Sequence, residues 1–336
     1  MLANNAFGID LGTRTIKIYS AHGDNVIVEK NMIAIEDKKN LFAYGDSAFE
    51  MFEKAPSNIE ISYPLCNGVI ADIKNMQQLL KNFILDCNKG AVKPAEFYIA
   101  VPSDITAVEK RAFSDLVKDA NVKARKIMRV EKAVADGLGL DIDVKNAQGI
   151  LVVNVGFHTT EISILSLGGI VLSRLIKVGG QKFDESIKNA IRKEFSLIIG
   201  SKTAENVKIN LRELEGEGKG AIVYGRDIVT GLPMEKEIPT NLVSDSMLES
   251  FNVIIDNIRV ILERTPPELS ADIFRRGIYL TGGASQVAHL AELIAKSTGL
   301  RVNVSENPVS GVALGLAKII KDDNYKSVAY LEGMGR

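Results

Sequence analysis

The chain has no tryptophan, two cysteines and three histidines, and each scarcity excludes a class of protein. Cys66 and Cys87 stand alone without metal-ligand spacing, so we expect reduced thiols rather than a disulfide framework or a zinc site. Three histidines also argue against a histidine-based metal centre. Acidic and basic residues nearly cancel to a formal net charge of −1, so no global field attracts nucleic acid or an anionic membrane. We therefore expect no nucleic-acid partner.

Long apolar runs are absent as well. No run approaches the ~18 residues that span a bilayer. The first residues, Met1 to Asn5, lack the charged and apolar regions of a secretory signal. These absences predict a cytoplasmic protein. The 336 residues, 46% of them hydrophobic, are enough for about two domains of ~150 residues with full cores.

A strand-turn-strand pattern stands near the start of the sequence. An apolar strand ending in Asp10 runs into a turn with Gly12 and Thr13, and a second strand follows in which Ile16 alternates with Lys17. Glycine lets backbone N–H groups point at a phosphate, and the hydroxyl and ammonium add charge-assisted bonds. The Asp10 carboxylate suits a hydrated divalent cation beside that phosphate. Taken alone, the same residues equally fit an ordinary β-turn.

The same pattern recurs near the middle of the chain. A buried strand from Gly149 reaches Asn154, a turn carries Gly156 and Thr159, and an alternating strand follows. The two copies, measured from Asp10 to Asn154, are about 144 positions apart. Two copies of a phosphate-turn hairpin predict two similar α/β domains with a ligand held between their turns. The duplication therefore favours a binding site over an ordinary turn.

A third glycine turn follows a later apolar strand. Gly282 and Gly283 come directly after Thr281, and we predict that a helix starts near Gln286. Helix N-termini preceded by glycines accept anions and flat rings that approach the backbone closely. As the third such turn in the chain, it adds to the predicted site.

Several local patterns predict individual elements. Thr106 and Glu109 form a capping-box pair that opens a helix. The Gly/Glu/Lys-rich stretch Glu213–Gly220 is predicted to be a solvated loop. Strands are predicted at Ala221–Tyr224 and Asp227–Val229.

With these motifs in order, the chain resembles the actin-like ATPase superfamily, and most closely the bacterial actin MreB family. The likeness covers nearly all of the chain and is specific because many spaced motifs match. They are IDLGT at 9–13, Asp46, the run at 56–59, Gly68–Asp72, Val101-Pro102, Glu109–Arg111, Thr159–Glu161, Val178–Gly180, Phe183–Glu185, Ile199-Gly200, Thr203–Glu205, Ile209, Pro266–Leu269, Leu280–Gly283, Thr298–Leu300 and Asn307-Pro308.

The resemblance implies an α/β actin-like fold, in which two RNase H-like lobes, each with a small inserted subdomain, surround a nucleotide cleft. It places the lobe I core at 1–30, 75–143 and 310–336, with a small subdomain at 31–74. It places the lobe II core at 144–180 and 244–309, with a small subdomain at 181–243.

The resemblance also implies ATP and Mg²⁺ in the cleft, with Asp10 holding the metal through water. The first turn would face the phosphates from one side with Asp10, Gly12, Thr13, Arg14 and Lys17, and the second from the other with Gly156, Thr159 and Thr160. Glu205 and Lys208 would meet the ribose and base, and Gly282 and Gly283 the adenosine and α-phosphate. Lys17 stands where MreB proteins usually carry an apolar residue and where conventional actin has a phosphate-binding lysine. The alternative for Lys17 is a solvent-facing strand lysine.

Hydrolysis needs an in-line water and an acceptor for its proton, and this chain departs from the family at that point. MreB proteins use a glutamate in a Glu-Glu-Pro segment, whereas Lys132 stands at the matching position here, with Glu131 beside it. An ammonium is protonated at neutral pH unless it is strongly desolvated, so it cannot accept that proton. A one-residue slip would leave Glu131 as the fallback base.

The second phosphate turn is altered too. Asn154 replaces the family's aspartate and loses the charge that would orient the metal shell and water. Phe157 and His158 replace glycines, which narrows the approach of the backbone to the phosphates. The pKa of a histidine suits a base, but we expect His158 to point to solvent instead. These changes predict a protein that binds ATP yet hydrolyses it slowly or not at all.

The first functional hypothesis is a cytoskeletal subunit that adds head to tail into protofilaments. The resemblance implies that protofilaments pair antiparallel and that the protein has a role in cell shape or motility. A slowly hydrolysing subunit would depend on a more active paralogous subunit for filament turnover. Altered paralogues of this kind are known in wall-less, helical, swimming bacteria. Membrane contact would be weak and peripheral, at the inner face of the cell membrane, since the loop Asn88–Lys93 offers only Val92 as an apolar residue.

Two enzymatic alternatives come from the same superfamily. A sugar or acetate kinase needs a carboxylate base beside the acceptor hydroxyl and usually a longer chain, and neither is evident. An Hsp70-type chaperone ATPase requires a substrate-binding domain that 336 residues cannot accommodate. An active ATPase or a small-molecule kinase therefore remains the alternative hypothesis.

Overall fold

The structure, a computed structural model, describes residues 5–331. Residues 1–4 and 332–336 lie outside the described residues. Both segments belong to the predicted lobe I core, and residues 1–4 are also part of the N-terminus predicted to lack a secretory signal. Numbered in chain order, the strands are β1 (Ala6–Leu11), β2 (Thr15–Ser20), β3 (Asn25–Lys30), β4 (Ile33–Glu36), β5 (Asn40–Tyr44), β6 (Ile59–Ser62), β7 (Leu65–Cys66), β8 (Val69–Ile70), β9 (Ala95–Val101), β10 (Ala124–Glu131), β11 (Ile150–Val155), β12 (Thr160–Ser166), β13 (Gly169–Ile176), β14 (Leu197–Ile198), β15 (Ala221–Asp227), β16 (Pro233–Ile238), β17 (Ile278–Thr281), β18 (Val302–Val304) and β19 (Tyr330–Leu331).

The helices are distributed along the whole described chain, and a short 3₁₀ helix covers Asp323–Val328. They are α1 (Gly45–Met51), α2 (Ile73–Cys87), α3 (Ala107–Asp119), α4 (Lys132–Gly139), α5 (Gly180–Phe195), α6 (Ser201–Glu217), α7 (Thr240–Glu263), α8 (Pro267–Arg276), α9 (Leu290–Thr298) and α10 (Gly311–Lys321).

Two large sheets share one topology. The first has the order β19-β10-β9-β1-β2-β3, and the second has the order β13-β12-β11-β17-β18. In each sheet a three-stranded antiparallel meander is followed by two strands that run parallel to its first strand. The predicted duplication of the opening hairpin is therefore a duplication of the whole five-stranded unit.

The first strand of each meander is buried along its whole length, as expected for a central strand covered on both faces. This burial explains why β1 and β11 are mostly apolar, whereas no residue of the edge strands β3 and β13 is fully buried. The turns that leave β1 and β11 therefore start from rigid strands.

Helices α4 and α10 pack against each other between the two sheets. Their apolar residues share one core with side chains from both sheets, such as Val130 on β10 and Val152 on β11. The helices approach closely because Gly139 faces the backbone of Gly311, where a Cβ would overlap a carbonyl oxygen. The α4–α10 crossing is thus the packed connection between the two sheets.

Two small three-stranded sheets lie apart from the large ones. The sheet β5-β4-β6 falls in residues 33–62, and the sheet β14-β15-β16 falls in residues 197–238. These stretches lie within the predicted small subdomains, while the four-part division of the chain stays a prediction. In residues 5–331, no helix is both long and apolar enough to cross a membrane.

The capping box that opens α3 is confirmed, because the Thr106 side chain accepts from the Glu109 N–H while the Glu109 carboxylate accepts from the Thr106 N–H. Three local predictions were wrong. Helix α6 runs to Glu217 because its apolar face continues, so most of the predicted loop Glu213–Gly220 is helical. The second strand of the hairpin is β16, and Asp227–Val229 mostly forms the turn before it. Helix α9 begins at Leu290 rather than near Gln286 because turns fill residues 282–289.

Candidate functional site

The two hairpin turns and the third glycine turn line one cavity of about 560 Å³. The cavity brings together nearly all the predicted site residues. They are Asp10, Gly12, Thr13, Arg14, Lys17, Lys132, Asn154, Gly156, Thr159, Glu205, Lys208, Gly282 and Gly283. Thr160 and Glu131 are not among the residues that line it.

In the first hairpin, strand pairing places Asp10 directly opposite Lys17. The Lys17 ammonium lies 3.1 Å from Asp10 Oδ2, and both side chains are buried. Lys17 therefore points into the cavity rather than to solvent. The turn itself is held by Asn31, whose Nδ2 donates to the Gly12 carbonyl oxygen at 2.8 Å.

Lys132, the first residue of α4, approaches the same carboxylate from the other side. Its ammonium lies 3.7 Å from Asp10 Oδ1. Burial alone would raise the pKa of Asp10, but the ammonium groups of Lys17 and Lys132 outweigh it and hold that pKa below its usual value. Burial would likewise lower the pKa of Lys132, yet the nearby carboxylates, Asp10 first among them, raise it. Lys132 is therefore a fixed cation and no proton acceptor.

Glu131, the alternative proton acceptor, forms its hydrogen bonds with residues that do not line the cavity. Its Oε1 accepts from the Lys110 ammonium at 3.1 Å and from the Tyr330 hydroxyl at 2.7 Å. Because both partners lie outside the cavity lining, the structure does not bring Glu131 to the site.

In the second hairpin, the side-chain amide of Asn154 is directed toward a buried acidic side chain, Asp136. Its Nδ2 donates to Asp136 Oδ2 at 2.5 Å, and the Thr281 hydroxyl donates to Asp136 Oδ1 at 3.3 Å. Burial raises the pKa of Asp136 to about 7, despite the opposing hydrogen bond from Asn154. The amide of Asn154 is thus held by a carboxyl group behind the turn.

The residues that replace glycine in this turn form an aromatic cluster. The Phe157 and His158 rings stack at 5.1 Å, and the Tyr63 ring lies 6.0 Å from Phe157. His158 is 8% exposed, so the prediction that it points to solvent was wrong. Its Nδ1 accepts from the Asn67 N–H at 3.1 Å, and burial lowers its pKa. His158 therefore acts as a buried neutral acceptor that joins the turn to the segment before α2.

Thr159 lines the cavity, while Thr160 has a structural contact. The Thr160 hydroxyl donates to the Val178 carbonyl oxygen at 2.8 Å, and the side chain is fully buried. The two side chains point to opposite sides because Thr159 directly precedes β12 and Thr160 begins it, and successive side chains of extended backbone alternate.

Glu161 also lines the cavity, although the sequence motifs did not predict it as a site residue. Strand pairing places it opposite Asn154, the position that Lys17 holds opposite Asp10 in the first hairpin. Its Oε1 accepts from the Ser103 N–H at 3.0 Å, and burial raises its pKa. Carrying the 144-residue repeat through to the second strand would have pointed to this position.

Three further charged side chains of the cavity lining already have partners: Arg14, Glu205 and Lys208. Glu205 forms an ion pair with Arg14, whose guanidinium lies 4.9 Å from the centroid of the Phe157 ring. The Lys208 ammonium lies 2.7 Å from Asp184 Oδ1, and burial raises the pKa of Asp184 to about 6 against that cation. Both pairs leave side-chain surface toward the cavity.

The third turn offers bare backbone to the cavity. Gly282 has a φ of +91°, and a Cβ there would overlap the backbone of Val155. At Gly283 a Cβ would meet nothing nearer than 3.8 Å, so this glycine leaves open space. The two glycines therefore differ: Gly282 shapes the turn, and Gly283 leaves room beside it.

The donor set fits a divalent cation poorly. Both oxygens of Asp10, the predicted metal-facing carboxylate, already face ammonium groups. Among the side chains described, no three or more of His, Cys, Asp and Glu are grouped so that they could hold a metal ion. The cavity instead offers cations, glycine backbone and hydroxyls, which together suit a polyanion.

Comparison with known proteins agrees with this arrangement. A family model described as MreB/Mbl protein matches residues 4–327. The cell shape-determining protein Mbl of Bacillus subtilis is 36% identical over 312 residues, 92% of this chain and 93% of that protein. MreB5 of Spiroplasma citri bound to AMPPNP is 32% identical, with a TM-score of 0.89 over 98% of this chain and 99% of that chain.

A more distant likeness concerns the fold alone. The MamK double helical filament subunit is 22% identical, with a TM-score of 0.77 over 95% of this chain and 99% of that chain. Together the family match, the sequence identity and the superpositions establish that this chain belongs to the MreB/Mbl family and has the actin-like fold.

Proposed function

We propose that this chain binds ATP between its two phosphate turns, assembles into actin-like filaments that govern cell shape or motility, and hydrolyses ATP slowly or not at all. The observation that carries the proposed loss of hydrolysis is the position of Lys132, whose ammonium lies in the cavity 3.7 Å from Asp10 Oδ1. Crystal structures of the relative MreB5 are described as bound to ADP and to AMPPNP, which supports a nucleotide in this cleft.

The nucleotide would lie along the cavity with its phosphates between the turns. Gly12, Thr13 and Lys17 would contact the phosphates from one side, with Gly156 and Thr159 on the other. Glu205 and Lys208 would lie near the ribose and base, and Gly282 and Gly283 near the adenosine and α-phosphate. Arg14 would order Glu205 through their ion pair.

Slow hydrolysis follows from the groups around the proposed γ-phosphate position. An attacking water needs an acceptor for its proton. Lys132 is held protonated by its carboxylate neighbours, and Glu131 is bonded to Lys110 and Tyr330 outside the cavity. Asn154 carries no charge and donates to Asp136. The side chains at the two predicted catalytic positions therefore cannot take the proton.

One observation favours the alternative of an active ATPase. Glu161 is a buried carboxylate that lines the cavity, and its raised pKa would suit a proton acceptor. Its Oε1 is occupied by the Ser103 N–H, and Lys132 lies nearby, so we favour the inactive assignment.

Assembly would be by self-association, head to tail, with antiparallel pairing of protofilaments as in the family. Each contact would be heterologous and would not close, so chains would extend into filaments. A paralogous subunit with faster hydrolysis would supply turnover. Membrane contact would be limited to a weak peripheral one through Lys89 and Lys93, which flank the half-buried Val92.

Sedimentation and phosphate release, measured on the same sample after ATP is added, test this proposal. We expect the protein to pellet with ATP while phosphate release stays far below one per subunit. The variant Glu161→Gln should release phosphate at the same low rate. Rapid release by the parent chain that Glu161→Gln abolishes would establish the active ATPase instead, and a failure to pellet would contradict the filament assignment.

A further inference from the structure

We propose that the Lys132 ammonium takes the place of a divalent cation at the triphosphate, so that this chain binds ATP equally well without Mg²⁺. This inference rests on the proposed nucleotide function and specifies how the cleft neutralises the phosphate charge. Three features of the site lead to it: a carboxylate that is fully paired, an opposite turn without charge, and a lysine directed into the cavity.

The first feature is the carboxylate of Asp10. A hydrated Mg²⁺ needs a carboxylate whose oxygens are free to accept from its water ligands. Here Lys17 lies 3.1 Å from one oxygen and Lys132 lies 3.7 Å from the other. The three side chains carry a net charge of one positive, which repels a dication where a lone Asp10 would attract it.

The second feature is the opposite turn, which adds no charge for a metal ion. Asn154 is neutral, and its amide N–H is directed at Asp136 rather than at the cavity. The two other acidic side chains lining the cavity have partners, since Glu205 pairs with Arg14 and Glu161 accepts from the Ser103 N–H. Among the described residues, neither Glu205 nor Glu161 therefore offers Asp10 a carboxylate with both oxygens unpaired for sharing a cation.

The third feature is the position of Lys132. It is the first residue of α4, and that helix is fixed by its close crossing with α10. Lysine binds phosphate directly, as a compact point charge. When a triphosphate enters, its oxygens can replace Asp10 Oδ1 as the partner of this ammonium, while Lys17 keeps Asp10 neutralised from the other side.

Equilibrium binding of ATP to the purified full-length chain, measured in excess MgCl₂ and in excess EDTA, tests the proposal. We expect the two dissociation constants to agree within about threefold. The variant Lys132→Gln should lose the ammonium and become dependent on the metal, with affinity in EDTA falling by about tenfold or more relative to MgCl₂.

Two further variants control the test. Lys132→Arg retains the charge and should remain insensitive to EDTA. Lys110→Gln removes another partly buried lysine, one that pairs with Glu131 outside the cavity, and should behave as the parent chain does. Thermal unfolding of each variant without nucleotide verifies that it is folded.

The outcomes separate this inference from the proposed function. A parent chain that binds ATP in MgCl₂ but loses about tenfold or more affinity in EDTA overturns the inference and leaves nucleotide binding intact. A Lys132→Gln variant that remains insensitive to EDTA overturns it too, because another group would then supply the charge. Failure of the parent chain to bind ATP in either condition overturns the proposed function itself.

Discussion

The two hairpins at the site are built on one plan but distribute their charges differently. Asp10 pairs across β1 and β2 with Lys17, and 144 positions later Asn154 pairs across β11 and β12 with Glu161. The carboxylate lies on the first strand in one hairpin and on the second strand in the other. The backbone of the repeat is therefore retained while the charges that decide its chemistry have changed.

A buried carboxyl group stands beside each hairpin, and the two have opposite environments. Asp10 has two ammonium neighbours that outweigh its burial and lower its pKa. Asp136 has an amide and a hydroxyl as hydrogen-bond donors, and burial raises its pKa to about 7. Neutral hydrogen-bond donors thus offset the cost of burying a carboxylate less well than ammonium groups do. The carboxyl group at the first turn is therefore ionised, whereas burial favours the protonated form of the one behind the second turn.

The largest effect expected from this difference is on Asp10→Asn. The substitution leaves two largely buried ammonium groups without their carboxylate, so the free energy of unfolding should fall by about 3–5 kcal/mol. The corresponding change in the second hairpin, Asn154→Ala, removes one hydrogen bond and should cost about 1–3 kcal/mol. Urea unfolding at neutral pH without nucleotide measures both.

An equal loss in the two variants would contradict the ionic assignment of the first turn. A gain in stability for Asp10→Asn would show that the two lysines are solvated rather than held by the carboxylate.

The next effect is a pH dependence from Asp136. Its folded pKa of about 7 lies above the unfolded value of 3.8, so the folded state binds more protons between these values. The stabilising contribution of protonated Asp136 is therefore complete below about pH 4. It is lost as the pH rises to about 7, which lowers the free energy of unfolding by roughly 3–4 kcal/mol. Asp136→Asn, which does not titrate, should lack this slope.

Urea unfolding at several pH values across that window, for the parent chain and for Asp136→Asn, checks the prediction. Parallel curves for the two proteins would show that Asp136 is ionised in the folded state. The lowered pKa of Asp10 affects stability only as the pH falls below its unfolded value, so Asp10 adds no slope within this window.

A smaller loss of stability is expected from alanine substitutions at the glycines of the two turns, Gly12 and Gly156. A Cβ on Gly12 would lie 2.6 Å from the Thr15 carbonyl oxygen and 2.9 Å from the Lys17 ammonium, so Gly12→Ala should displace the lysine from Asp10. We expect a loss of about 1–3 kcal/mol and weaker ATP binding. On Gly156 the nearest atom is the Thr159 carbonyl oxygen at 2.9 Å, so Gly156→Ala should be milder. Unfolding and ATP titration of both variants decide the order.

The smallest effect concerns His158. Burial lowers its pKa, so the unfolded state binds the proton more readily and stability falls as the pH drops below the unfolded value of 6.5. Protonated Nδ1 cannot accept from the Asn67 N–H, a loss of about 0.5–1.5 kcal/mol. His158→Gln should remove this pH dependence, and a dependence that persists in the variant would assign it to another group.

The sequence predicted the hairpins, their duplication and most of the cavity lining, because strand alternation and glycine turns are local signals. It could not predict the environments of Asp136 and His158, which depend on contacts between residues far apart in the chain. Helix α9 was misplaced because Gly282 and Gly283 predict a helix start but do not tell how many turns precede it. The Thr159–Glu161 motif does not by itself place Glu161 in the cavity, because that position follows from strand register.

A structure of the chain crystallised with AMPPNP and MgCl₂ would show directly whether Lys132 or a metal ion neutralises the triphosphate. We expect Thr13 and Thr159 on opposite sides of the phosphates, with the Lys132 ammonium about 2.8 Å from an oxygen of the terminal phosphoryl group. A divalent cation bound between Asp10 and the phosphates, with Lys132 turned away from the nucleotide, would contradict it.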